Sequence, residues 1–228
     1  PAIGDIGNDG RYEVVAGTGV GPSGDAVATN TLKAFRVEDG SPVPGWPVTL
    51  NGPIFGSPVI GDVNGDGRND VVVAACAHCA KGRVWAIGPG GRVLWSVEPG
   101  APEGYHVEML STPVLADFDG DGRNDVAVGA TGEFNILRGT DGVRLYRPLE
   151  RNRIVQNSAA IANFGPVDGW RLIVQSWKAS DGLPPHGATT VSSYPLPEPP
   201  GTKPAWPQWR KNRHHTGAPY PIVGGGGF

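Results

Sequence analysis

SPVIGDVNGDGRNDVVVA (residues 57–74) and TPVLADFDGDGRNDVAVG (residues 112–129) are near-copies of one another. Each opens on a short apolar run, passes through a nine-residue loop of Asp, Asn and Gly, and closes in a β-branched run. Two weaker copies flank them: PAIGDIGNDGRYEVVAG (residues 1–17) and SAAIANFGPVDGWRLIVQ (residues 158–175). The reference positions Asp5, Asp62, Asp117 and Asn163 are spaced by 57, 55 and 46 residues. Self-similarity at such a period signals a repeat architecture.

Outward from the loop, each copy reads as a set of short strands. In the second, runs at 57–63 and 71–75 are followed by 83–87, a turn at 88–91, and 93–97. The third repeats this with 114–116, 126–129, 134–137, a turn at 140–142, and 143–146. The first offers 32–36, a turn at 38–40, and 48–50; the fourth offers 172–175, 189–194 and 206–209. Gly, Pro and Asp punctuate every break, as turns require. No stretch of ten residues carries helical periodicity. Four antiparallel strands per repeat of this length describe a β-propeller blade. A β-sandwich also uses regular short strands, but it has no need of one loop chemistry at a fixed period. The expected fold is therefore an all-β propeller with four blades visible, at 1–56, 57–111, 112–157 and 158–222. A Gly-rich end at 223–228 completes the one domain, which belongs to a closed four-bladed ring or to a larger one.

The loop carries the chemistry. Numbered from its first Asp, it places oxygen-bearing side chains at positions 1, 3, 5 and 9: Asp62, Asn64, Asp66 and Asp70, then Asp117, Asp119, Asp121 and Asp125. Gly67 and Gly122 at position 6 permit a sharp turn, and the carbonyls of Arg68 and Arg123 at position 7 add a further oxygen. Hard oxygen ligands with several negative charges suit Ca²⁺ better than Mg²⁺, which holds its waters in a smaller octahedron. An EF-hand would need a Glu at position 12 and flanking helices, whereas Val73 and Val128 stand there. The loop thus reads as a calcium loop between strands, with position 9 supplying the last carboxylate. In the first copy Asp5, Asp9, the Arg11 carbonyl and Glu13 keep the pattern, but Gly7 empties position 3, which a water would fill. The fourth copy has an extra residue and no final carboxylate, and reads as metal-free. Two sites, and a third in the first repeat, are expected.

Charge points the same way. Ten of the 22 acidic residues fall in the three loops, leaving 12 against 19 Lys and Arg elsewhere. Such crowding is repulsive unless a cation is held there. The net charge of −3 excludes bulk attraction to nucleic acid, and no apolar run approaches the length of a membrane-spanning helix. The 59 Gly and Pro among 228 residues are in register and so do not signal disorder. The chain opens at Pro1 with neither an initiator Met nor an apolar leader, and reads as part of a longer chain or of a multi-chain assembly. Alone, its outer blades would present apolar faces around Ile3 and Ile161.

On these residues the chain resembles FG-GAP repeats, the calcium-binding blades of integrin-alpha-type propellers and of many secreted bacterial proteins. The resemblance covers three blades well and the fourth weakly. It implies a propeller with Ca²⁺ between the first and second strands of a blade, and it matches Asp62, Asn64, Asp66, Asp70, Asp117, Asp119, Asp121 and Asp125 to the family's ligands. It says little of biological role.

Other candidates are less specific. Cys76 and Cys79 form the one cysteine pair; a disulfide closing a turn is the simplest reading, and free thiols or a metal with His78 and His106 stay open. Calcium loops point to an extracellular, cell-surface or periplasmic setting, where disulfides persist. Trp46, Trp170 and Trp177 lie near loops and are candidate ligand-binding residues, whereas Trp85 and Trp95 lie on strands and read as packing between blades. The stretch 210–215 is basic, and either a docking tail or a solvated one. No nucleophile elbow, P-loop or dinucleotide fingerprint is present; His106 and Glu108 have the types of an acid and a base, but their spacing says only that they would face the same side of a strand. Three function classes remain: a non-catalytic extracellular propeller that binds a protein or glycan, a structural subunit of a cell-surface or filamentous assembly, and an accessory or catalytic domain of a secreted carbohydrate-active enzyme of lyase type. Absence of a catalytic constellation favours the first.

Overall fold

The computed structural model describes residues 1–19, 30–75, 81–100, 109, 111–165, 169–178 and 189–196. The elements there are strands, apart from a 3-10 turn at Pro89–Gly91. The first blade is an antiparallel sheet of β1 (Ala2–Gly4), β2 (Glu13–Gly17), β3 (Thr31–Arg36) and β4 (Val48–Thr49), in chain order. The second repeats it with β5 (Val59–Gly61), β6 (Asp70–Ala75), β7 (Arg83–Gly88) and β8 (Arg92–Val97). Every residue of β5 and β6 is buried, while β8 is mostly half-exposed or exposed. That gradient is what a blade gives, because its inner strands have a neighbouring blade on each face. Adjacent blades approach backbone to backbone: a Cβ on Gly45 would lie 1.9 Å from the Gly90 carbonyl oxygen, which only glycine permits.

The third blade pairs β9 (Val114–Ala116) with the start of β10 (Asp125–Leu137). A straight strand of that length would span about 40 Å. Instead the Gly139 N–H donates to Asp125 Oδ1 at 3.0 Å, so β10 folds back on itself, turning at Gly132 (φ +100°). Its two arms are the strands expected at 126–129 and 134–137. The expected fourth strand is held by the Leu145 N–H on the Ile136 carbonyl (2.9 Å) and a bridge between Leu137 and Arg144. Alternation along this blade feeds two cores. Leu115, Val126, Val128 and Ala130 join the core shared with the first two blades. Val114, Ala116 and Ala127 join a second core with Ile161 and Leu172.

The fourth blade contains β12 (Ala160–Asn163), β13 (Trp170–Lys178) and β14 (Thr189–Pro195). One strand was not expected from the sequence: β11 (Leu149–Ile154) pairs with β10 at Thr131 and with β13 at Trp177, joining the last two blades into one sheet. Glu150 anchors it, accepting from Tyr194 Oη (2.6 Å) and Ser176 and pairing with Arg153 Nε (3.2 Å). Ile161, expected on an open apolar face, is only 5% exposed because the second core covers it; Ile3 stays half-buried. The expected strand at 206–209 lies outside the described residues. The architecture is an all-β propeller whose first two blades are four-stranded antiparallel sheets and whose last two share one sheet, with no helix among the described residues long and apolar enough to cross a membrane.

Candidate metal centre

Each loop joins the innermost strand of its blade to the next, and one register sets all three. Gly4 pairs with Glu13, Gly61 with Asp70, and Ala116 with Asp125, so the position-9 carboxylate always enters the second strand opposite the residue before the loop. An apolar side chain at position 2 plugs the loop from beneath: Ile6, Val63 and Phe118 are at most 2% exposed. The buried position-9 carboxylate accepts the N–H of that same residue, Glu13 from Ile6 (2.9 Å), Asp70 from Val63 (3.1 Å) and Asp125 from Phe118 (3.0 Å).

The other carboxylates fold the loop around themselves. Position 1 accepts the N–H of position 6: Gly10 to Asp5 (2.9 Å), Gly67 to Asp62 (2.9 Å) and Gly122 to Asp117 (2.8 Å). Position 3 accepts from position 5, as in Asp66 N–H to Asn64 (2.8 Å) and Asp121 N–H to Asp119 (3.1 Å). Position 5 accepts from position 7, as in Arg11 to Asp9, Arg68 to Asp66 and Arg123 to Asp121, at 2.9–3.0 Å. In the third loop, oxygens of Asp117, Asp119 and Asp125 lie within 4.8 Å of one another. Three carboxylates are gathered this way in the third loop alone among the described residues, and Asp121 stands outside the group.

Burial pushes the Asp70 carboxyl up to about 6 and that of Asp125 to about 7, with the neighbouring loop carboxylates adding to the effect against the backbone donors. Burial raises Glu13 as well. The buried Asp70 Oδ1 has no hydrogen-bond partner. An orphaned carboxylate oxygen beside Asp62, Asn64 and Asp66 fits a hard divalent cation, and so does the all-oxygen donor set of each loop. The register also explains the fourth loop: Ala162 pairs with Arg171, which puts a guanidinium where the other blades carry the position-9 carboxylate.

The remaining candidates are placed as follows. Trp46 is buried in the first core, Trp170 packs against the second, and Trp177 is half-buried on β13 with its Nε1 enclosed and unpartnered. Trp95 donates to the Gly139 carbonyl of the next blade at 2.7 Å. Trp85 donates to Asn51 on the connection from the first blade at 3.1 Å. Both act in packing between blades. Cys76, His78, Cys79, His106, Glu108 and the basic stretch 210–215 lie outside the described residues. Sequence reading missed two loop positions: the apolar plug at position 2, and an Asn at position 8. Both were visible in register, as Ile6, Val63 and Phe118, and as Asn69 and Asn124.

Antiparallel blades stacked in series, each with one such loop after its innermost strand, define a β-propeller. Residues 62–128 match the model of FG-GAP-like repeats, so the second and third loops and the blade between them carry that repeat. The crystal structure of the Vibrio cholerae biofilm matrix protein Bap1 is similar in fold at 21% identity, with a TM-score of 0.54 over 84% of this chain. The C-terminal domain of Pseudomonas aeruginosa PilY1 is similar at 16% identity, with a TM-score of 0.53 over 79% of this chain. The chain spans 26% of the first and 48% of the second. No protein of curated function matches it significantly.

Proposed function

We propose that the chain is a calcium-loaded propeller module of an extracellular or cell-surface protein, presenting a rigid surface to a protein or glycan partner. The observation that carries this is the set of three loops in one register, each with a buried position-9 carboxylate, the third of which gathers Asp117, Asp119 and Asp125 within 4.8 Å. Asp62, Asn64, Asp66 and Asp70, with the Arg68 carbonyl, would hold one ion. Asp117, Asp119, Asp121 and Asp125, with the Arg123 carbonyl, would hold a second, and Asp5, Asp9, Glu13 and the Arg11 carbonyl a third. The ion neutralises the carboxylates and ties the innermost strand of a blade to its neighbour, so its work is structural. The extracellular setting is supported by the millimolar calcium there, which weak loop sites require, and by the fold shared with a biofilm matrix protein. A role within a larger assembly is supported by the fold shared with a biofilm matrix protein. Isothermal titration of the chelated protein with Ca²⁺, followed by glycan-array and surface-binding assays with and without the ion, tests the proposal. Calcium-dependent binding without turnover is the expected result; an absence of calcium uptake would overturn it.

A further inference from the structure

The first three loops touch through the same two atoms at two successive junctions. Asn124, at position 8 of the third loop, donates its Nδ2 to the backbone carbonyl of Asp62, position 1 of the second loop, at 2.8 Å. Asn69, at position 8 of the second loop, donates its Nδ2 to the carbonyl of Asp5, position 1 of the first, also at 2.8 Å. Its backbone N–H reaches Asn8 Oδ1 as well, at 3.1 Å. The junction between the second and third loops is close-packed. A Cβ on Gly65 would lie 2.7 Å from Arg123 Nε, and one on Gly139 would lie 1.9 Å from the Asn124 carbonyl oxygen and 2.5 Å from that of Val63. Position 8 is Tyr12 in the first loop and, by register, Trp170 in the fourth. Neither can supply a side-chain amide, so the two clasps join three loops in series.

We propose that Asn69 and Asn124 are positioning residues that couple the cation site of one blade to that of the blade before it. The inference rests on the reading of these loops as cation sites. Each Asn precedes the position-9 carboxylate of its own loop, Asp70 or Asp125, and holds the backbone of the residue whose side chain is the first ligand of the neighbouring loop. A shift of the position-9 carboxylate as its loop loads is passed through one amide to the neighbour's first ligand. Side chains that orient a ligand from behind set metal affinity by about ten-fold or more when removed. Coupling between two binding events is reciprocal, so calcium binding across the three loops is expected to be cooperative.

The test isolates one junction in the full chain. Asp9→Ala with Asp121→Ala silences the first and third loops and leaves the second as the one site for Ca²⁺. In that background Asn124→Ala, a change in a different and already silent loop, is expected to weaken Ca²⁺ binding by about ten-fold. Asn124→Leu, which keeps the bulk, removes the donor and adds no charge, is expected to do the same. The chelated forms are melted in parallel, since a role confined to folding would lower their melting temperature and leave the calcium affinity alone. Asn69→Ala, with Asp66→Ala and Asp121→Ala, makes the same measurement on the first loop and supplies a second junction should the Asn124 variants not fold. Affinities within two-fold of the parent background at either junction would overturn the coupling. A wild-type chain that takes up no calcium would instead overturn the reading of the loops.

Discussion

Asp125→Ala tests the loop at its buried end. In the structure this carboxylate accepts the Phe118 N–H through Oδ2 and the Gly139 N–H through Oδ1, both at 3.0 Å, and is 1% exposed. Alanine leaves two buried donors without partners, at about 1–3 kcal/mol each. A loss of about 4 kcal/mol is therefore expected with no calcium present at about pH 5, where burial keeps this carboxyl neutral, which for a domain of this size lowers Tm by roughly 8–16 °C. At free Ca²⁺ a hundred times Kd the wild type gains about 2.7 kcal/mol more per occupied site, so the gap widens in calcium. Asp70→Ala should be milder in chelator, because only Oδ2 of Asp70 is engaged, by the Val63 N–H, and Oδ1 is an orphan. Urea denaturation of both variants, in chelator and in excess calcium, gives the four numbers. A loss below about 1 kcal/mol for Asp125→Ala in chelator, or a gap that calcium leaves unchanged, would refute the reasoning.

Four further outcomes are expected. Asp121→Ala should reduce calcium-dependent stability more than Asp9→Ala, because the third loop has four carboxylates and the first has Gly7 where a ligand belongs; thermal melts in calcium check the order. Asp70 and Asp125 titrate at about 6 and 7 in the folded chain, above the unfolded value of about 3.9. Their contribution to the stability of the chelated protein is fully present below about pH 4 and is lost as pH rises through 6 and 7. Calcium affinity runs the other way, falling from pH 8 to pH 5 as protons compete for the ligands, and an affinity flat over that range would count against these carboxylates as ligands. Trp95→Phe strands the Gly139 carbonyl between the second and third blades and should cost about 1–3 kcal/mol by denaturant titration.

The fold was legible because loop chemistry and strand pattern recur together. Asp62–Asp70 and Asp117–Asp125 mark the same joint in two blades, and the strands around them follow from turn residues that no long side chain would tolerate. The strand β11 was not legible. Its sequence, LERNRI, lacks the apolar alternation of a half-buried strand, and Glu150 and Asn152 both adopt positive φ (52° and 58°). Its place is fixed by tertiary pairing with Thr131 and Trp177, which no local pattern encodes. The shared register of the loop carboxylates was readable from spacing alone. The clasp at Asn69 and Asn124 was not, because its partner is a backbone carbonyl more than sixty residues away. Trp46 shows the limit of proximity: a place near a loop suggested a ligand-facing ring, but a loop can also direct its aromatic inward, as it does here.

Calcium stoichiometry tests the central claim most directly. The full chain, stripped with chelator and dialysed against excess Ca²⁺, is assayed for bound metal by elemental analysis beside the triple variant Asp5→Ala, Asp62→Ala, Asp117→Ala. The account expects two to three calcium ions per wild-type chain and none in the variant. A wild-type chain free of calcium, or a variant that retains the full complement, would contradict it.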